Sequence, residues 1–339
     1  EQAFAADIKY TEAGATVCSR EEVLQSSDIV LSIQLPASAE LSALSSKILL
    51  GVYQPLFQAA QMKELAEKGL TIFSMDMLPR TTRAQSMDVL SSQANIAGYK
   101  AVLEAANLFP KYFPMFMTAA GSIPPAKMLI LGAGVAGLQA IATARRLGAQ
   151  VTATDVRPAT KEQVQSLGAK FIAVEDEEFK QAQTAAGYAK PMSPEYQAKQ
   201  AELVAQHVKN QDLVITTALI PGRPAPKLIS RAMIESMKPG AVIVDLAAER
   251  GGNTELTEPG KTIETPNGVR IFAPLNLAGS IAVNASSLYA KNLLAFLDGT
   301  MFDKKEKTLA VNWDDELIKG TLVAKGGQIV HPNLQTQAS

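Results

Sequence analysis

The stretch "KMLILGAGVAGLQAIATARRLGA", residues 127–149, constrains the fold more than any other part of the chain. An apolar run ends in Gly132-x-Gly134-x-x-Gly137 and passes directly into a segment of helical periodicity, so a buried strand turns into a helix through three glycines. Each glycine has a physical task in such a turn. Gly132 permits the tight bend, Gly134 lets the backbone approach a pyrophosphate, and Gly137 lets helix and strand pack closely. The helix start then offers free amides and the positive end of its dipole to phosphate oxygens. Asp155 closes the next strand, "QVTATDV", where a carboxylate takes the ribose hydroxyls of NAD and repels the extra phosphate of NADP. Arg157, two residues on, can instead accept that phosphate, so the preference for NAD(H) stands with this alternative open. A glycine-rich turn with no ligand is the bland reading; strand, glycines, helix and acid in that order argue against it.

Around this motif, short apolar runs alternate with amphipathic stretches, the rhythm of parallel strands covered by helices. Ahead of it, "DIVLSIQL", "KILLGVYQ" and "LTIFSMDML" read as strands and "AAQMKELAEKG" as a helix stopped by glycine. A long helix over residues 86–109 is closed by Pro110, and "GSIPPA" follows as a hinge and domain boundary. Beyond the motif come the helix "KEQVQSLGA" and the strands "KFIAV", "DLVITTAL", "GAVIVDLA" and "VRIFAPLN". Residues 280–298 form a helix long enough to return to the first domain, and "KTLAVNWDDELIKGTLVAKGGQIV" reads as extended, with a hairpin at Lys325-Gly326-Gly327. The expected division is residues 1–118 plus 283–339 and residues 119–282. One connection, residues 175–195, far exceeds the usual 2–6 or so residues, so it is a lid or an unstructured stretch.

Composition narrows the function. With 339 residues there is room for two cores, and 32 basic against 33 acidic side chains leave no charge excess to attract nucleic acid. A lone cysteine, Cys18, fits a reducing compartment and forms no thiolate metal cluster. The uncharged runs 128–144 and 271–290 are broken by glycines in one case and by Pro274, Asn276, Asn284 and serines in the other, so neither suits a spanning helix. No signal peptide opens the chain, which is expected to be cytoplasmic. Neither H-x-x-x-H, C-x-x-C nor G-x-S-x-G occurs, and no metal is expected. Of two histidines, His207 sits on a charged helix and His331 in a tail, poor positions for a catalyst. Asp245 and Glu249 follow the strand "AVIVDLA", where a turn-capping role and a substrate role are equally open. The segment "TTALIPGRPAP" either walls a nicotinamide or is a proline-stiffened loop.

Together "RAQSMDVLSSQANIAGYKAV", "LGAGVAGLQAIATARRLGA", "GYAKPMS", "VITTALIPGRPAPKLI" and "VIVDLAAERGGN" resemble the NAD(H)-binding component of proton-translocating nicotinamide nucleotide transhydrogenase, over nearly the whole chain. That resemblance implies two Rossmann-like, doubly wound α/β domains with an interdomain cleft, a homodimer, and NAD(H) bound here. It implies that hydride passes directly to NADP⁺ on a separate NADP(H)-binding component, driven by proton movement through a membrane component. The family's component usually begins with a further strand–helix–strand unit, which is expected to be missing here. By the same resemblance Arg80, Gln85, Asp88 and Ser91 occupy the functional positions of a loop against the nicotinamide. Gly187, Tyr188 and Met192 match the closing residues of a mobile lid, and Val135, Gly137, Asp155, Val156, Arg157, Gln200 and Leu219 match nucleotide contacts.

The loop "LPRTTRAQSMD" carries no histidine, cysteine or lysine. An NAD⁺-dependent alcohol or amino-acid dehydrogenase releases a proton and needs a base to take it. Hydride passing between two nicotinamides releases none; it needs positioning and a dry site. Gln85 and Ser91 are thus expected to orient the ring and its ribose, and Arg80 and Asp88 to hold the loop. Alanine dehydrogenase, a relative of the same plan, requires a histidine where this chain has Gln54 and an aspartate where it has Glu249. A third reading is an NAD(H) sensor that transfers no hydride.

Overall fold

The computed structural model describes residues 2–37, 40, 44, 46–182 and 190–335. The chain forms two compact units, Glu1–Ser92 with Ala282–Ser339, and Gln93–Ile281. The first crossing thus falls inside the helix Val89–Leu108 rather than at the Pro/Gly-rich segment after it, and the second at the start of the helix Ala282–Thr300.

In the first unit a five-stranded sheet runs Ile29–Leu31, Ile48–Gly51, Thr71–Ser74, Leu322–Lys325, Gln328–Ile329. The first three strands are parallel, and Leu322–Lys325 adds antiparallel to Thr71–Ser74. Two buried clusters cover its faces. Leu49, Leu65 and Ile72 belong to one; Leu50, Phe73 and Phe296 to the other. The hairpin at Gly326-Gly327 forms as expected, with Lys325 opposite Gln328. The preceding stretch, expected to be extended, instead holds the helix Glu316–Thr321. Asp315 caps it, its Oδ1 accepting the Leu317 N–H at 2.8 Å, a local interaction that overrides the strand propensity of the flanking sequence.

The second unit is a seven-stranded sheet ordered Thr262–Glu264, Arg270–Phe272, Val242–Asp245, Leu213–Thr216, Lys127–Leu131, Gln150–Thr154, Lys170–Phe171. All neighbours are parallel except the edge strand Thr262–Glu264. Leu129, Ile130, Val214, Ile215, Val242, Ile243 and Val244 are completely shielded, as in a sheet with helices on both faces. The chain leaves Lys127–Leu131 for strands on either side of it, Gln150–Thr154 and Leu213–Thr216, so its carboxyl end lies at the reversal of strand order where ligands bind in such sheets.

Candidate functional site

At that strand end the three glycines divide their tasks in space. Gly132 has φ +101°, and its N–H donates to the Thr154 carbonyl at 2.9 Å. A Cβ on Gly132 would stand 2.5 Å from Thr217 Oγ1, and one on Gly137 1.9 Å from the Gly132 carbonyl oxygen. Neither position admits a side chain, because backbone and strand end meet there with no free volume. Gly134 faces open space; the nearest atom to its missing Cβ is Arg157 Nη2 at 4.0 Å. The helix Val135–Arg146 begins directly after it, so its first amides face the same space. A fourth glycine, outside the motif, supports this corner: a Cβ on Gly98 would lie 2.1 Å from the Ala136 carbonyl oxygen, so the helix Val89–Leu108 packs directly on the first turn of Val135–Arg146. Its signal in the sequence is the run of small residues "SSQANIAG".

The acidic residue has partners within its own turn. Asp155 Oδ1 accepts the Arg157 N–H at 2.8 Å and its Nε at 2.9 Å, while Oδ2 accepts the Ala133 N–H at 2.8 Å and Arg157 Nη2 at 2.9 Å. Hydrogen bonding to Asp155 strengthens the guanidinium's hold on its proton, against the opposing effect of its partial burial. Gln200, on the helix Pro194–Val208, ties the end of one strand to the loop after the next: its Nε2 donates to Thr154 Oγ1 at 2.8 Å and its Oε1 accepts the Val174 N–H at 3.3 Å. Val156 packs half-buried against the core, whereas Val135 and Leu219 are 39% and 55% exposed at the rim of the turn. Apolar side chains left open beside a glycine turn suit the flat face of a ring.

Asp245 is completely buried and accepts from Thr216 Oγ1, the N–H groups of Ala247, Asn253 and Thr254, and Thr257 Oγ1. Its role is to tie the loop 246–257 to the strand end, which decides between the two readings in favour of structure. Asn253 carries that order onward: its Oδ1 accepts the Ala218 N–H at 3.0 Å and its Nδ2 donates to the Ala218 and Pro226 carbonyls at 2.9 Å, fixing the loop that holds Leu219. Glu249 accepts the Asn276 N–H at 3.0 Å.

Of the expected lid, Gly187 and Tyr188 lie outside the described residues. Its two ends are joined, since Lys190 N–H donates to the Ala182 carbonyl at 2.8 Å and Ser193 Oγ to Glu178 Oε2 at 2.6 Å; Met192 packs half-buried against the core. Tyr196, beside them, is buried, and desolvation together with the charges of Asp176 and Glu178 pushes its hydroxyl up to about 12.

In the first unit the loop after strand Thr71–Ser74 forms a 3₁₀ turn, Thr82–Met87, with Ala84 and Met87 buried and Arg80 and Gln85 exposed. Asp88 and Ser91 meet: Asp88 Oδ1 accepts the Ser91 N–H at 2.9 Å and Oδ2 its hydroxyl at 2.5 Å, an N-cap for the helix Val89–Leu108. Asn292, nearly buried on the helix Ala282–Thr300, donates to the Ser86 carbonyl at 2.8 Å and accepts Ser92 Oγ at 2.8 Å. Arg83, to which the sequence assigns no role, pairs with Asp315. Gly320 leaves room for Pro79, whose Cγ would be 2.2 Å from a Cβ there. The return segment therefore pins the loop at Pro79, Arg83 and Ser86, contacts across more than two hundred residues that no local pattern signals.

Both histidines serve the fold. His207 Nδ1 meets the Leu203 carbonyl at 2.9 Å. His331 is buried; its Nε2 donates to the Gly320 carbonyl at 3.1 Å and its Nδ1 accepts the Asn333 N–H at 3.2 Å, while burial pushes the imidazole toward its neutral form. Among the described residues no group of acidic, histidine or cysteine side chains could hold a metal, and no helix is long and apolar enough to cross a membrane.

Residues 1–97 match the family described as "Alanine dehydrogenase/PNT, N-terminal domain", and residues 101–332 its C-terminal domain. An NAD(P) transhydrogenase alpha-subunit chain of Rhodospirillum rubrum is 49% identical over 340 residues, covering 98% of this chain and 88% of that protein. The solved transhydrogenase from Sinorhizobium meliloti superposes with a TM-score of 0.85 at 52% identity, over 97% of this chain and 88% of that one. An L-alanine dehydrogenase structure shares the fold at a TM-score of 0.75 and 23% identity, over 98% and 87% of the two chains. With both domains matched and relatives of this similarity named for one enzyme, the chain belongs to the alanine dehydrogenase/PNT family, among the alpha subunits of NAD(P) transhydrogenase.

Proposed function

We propose that this chain binds NAD(H) on the glycine turn at Gly132, Gly134 and Gly137 and passes hydride directly between it and NADP(H) held by a partner component. Proton movement through a membrane-spanning component drives the exchange. The observation that carries this reading is the engagement of both histidines in structural hydrogen bonds, with a loop over residues 80–85 that presents amide and guanidinium groups rather than a base. Such a set suits a transfer in which no proton leaves the substrate. Pyrophosphate oxygens would meet the amides of Val135 and its neighbours, the adenosine ribose Asp155, and the rings Val135 and Leu219. In the loop, Gln85 orients the dihydronicotinamide and Ser91 its ribose, while Arg80 and Asp88 hold the loop's course; Asp88 does so by capping the helix that follows it.

A second copy of the chain belongs to the same proposal. Met115, Phe116, Met117 and Ile123 are exposed on and beside the hairpin formed by Phe116–Thr118 and Gly121–Ile123, an apolar patch suited to a partner. The deciding experiment mixes the chain with an NADP(H)-binding transhydrogenase component and follows reduction of an NAD⁺ analogue by NADH in the presence of NADP(H). Turnover that depends on both components is the expected result. Oxidation of alanine with NAD⁺ by this chain alone would replace the proposal with the dehydrogenase reading; NADH binding without transfer in the mixture would replace it with a sensor.

A further inference from the structure

The Asp155 carboxylate is full. It accepts four hydrogen bonds, two per oxygen, and a carboxylate has about four lone-pair sites. Two of the donors, the amides of Ala133 and Arg157, belong to the turn and cannot leave without unfolding it. The other two are Nε and Nη2 of the Arg157 side chain, and a ribose diol offers the same number of donors. The guanidinium also lies over the glycine turn, its Nη2 4.0 Å from where a Cβ of Gly134 would be, on the side left open for a phosphate. With the Asp155 side chain 7% exposed and that of Arg157 22%, the pair is shielded enough to hold its geometry.

We infer that Arg157 is a gate on the nucleotide site: NAD(H) enters by exchanging the two guanidinium hydrogen bonds on Asp155 for its two adenosine-ribose hydroxyls. A 2′-phosphate can donate nothing to Asp155 and so cannot take the guanidinium's place on it, and Arg157 therefore does not relieve the exclusion of NADP(H). This inference rests on the NAD(H) reading of the glycine turn and chooses between the two roles that the sequence left open for Arg157. The apparent affinity is then the intrinsic one reduced by the fraction of molecules with Asp155 released.

The test measures NADH and NADPH binding to the full chain carrying Arg157→Gln, Arg157→Lys or Asp155→Asn, with circular dichroism and thermal melting to establish that each folds. Removing the gate in Arg157→Gln is expected to tighten NADH binding about two- to fivefold, chiefly through faster association, with NADPH still excluded. Arg157→Lys, with a single-point donor, falls between. Weaker NADH binding in Arg157→Gln would make the guanidinium an ordinary contact and overturn the gate, as would NADPH binding by the parent that this variant selectively loses. Asp155→Asn separates the two levels: retained NADH affinity there defeats the underlying site reading, whereas its loss together with weakened Arg157→Gln binding defeats the gate alone.

Discussion

Gln85 is exposed between the buried Ala84 and Met87, whose burial turns its side chain outward. Shortening it by one methylene leaves the loop intact and changes only its reach. Gln85→Asn is therefore expected to keep NADH affinity within about twofold and slow hydride transfer about tenfold or more, because small misplacements are costly when positioning is the main contribution. Stopped-flow transfer against equilibrium NADH binding checks it, and unchanged transfer would remove Gln85 from the mechanism. Gly137 is a test of packing: its Cβ would fall 1.9 Å from the Gly132 carbonyl oxygen, so Gly137→Ala should lose about 1–3 kcal/mol, read as a lower urea midpoint, and weaken NADH binding as the turn shifts. The glycine turn and its acid were legible because their tasks are local; a strand–turn–helix corner and the acid on the next strand impose the same demands wherever they occur. The occupancy of Asp155 was not. Two residues of spacing permit an Arg157 side chain to turn toward the carboxylate or away, and only packing of the turn selects one.

The loop over residues 78–88 is an element whose ends and crest are governed by different parts of the chain. Arg83 and Asp315 bring the most testable consequence. Burial raises the Asp315 carboxyl, but the Arg83 guanidinium and the capping amides of Leu317 and Ile318 outweigh it and hold the group below its ordinary value of 3.8. A carboxyl depressed on folding stabilises the folded state fully above its unfolded pKa, and that stabilisation disappears as pH falls through the lower folded value. Arg83→Gln should therefore cost about 0.5 kcal/mol at neutral pH, modest because the arginine is half exposed, and the difference from the parent should vanish in strong acid. Urea unfolding at about pH 7 and at successively lower pH below the ordinary carboxylate range measures both. Equal stability at neutral pH would make the pair incidental to the loop. The Glu316–Thr321 helix behind this pair was invisible in a stretch rich in strand formers, since one capping aspartate and the burial of Leu317, Ile318 and Thr321 decided its conformation. Similarly, Asn292 reads as an ordinary polar residue on a helix until the fold brings it to Ser86 and Ser92.

For the whole molecule, the exposed hairpin apolar side chains predict association: Met117→Lys should shift the chain toward the monomer in sedimentation velocity, and an unchanged sedimentation coefficient would place any dimer contact elsewhere. The alternation of apolar runs and amphipathic stretches was sufficient to specify two α/β units built on parallel strands, because strand burial on both faces and helix periodicity are properties of adjacent residues. The glycine turn and its acid were likewise determined by the sequence, being a single βαβ corner. Where one unit ends and the next begins was decided by tertiary structure, since residues 93–108 continue one helix while packing with the second sheet's unit. The pinning of the loop over residues 78–88 by Asn292, Asp315 and Gly320 was decided there too. Periodicity reports which face of an element is buried; which distant side chain meets it depends on chain paths that close only when the sheet is assembled.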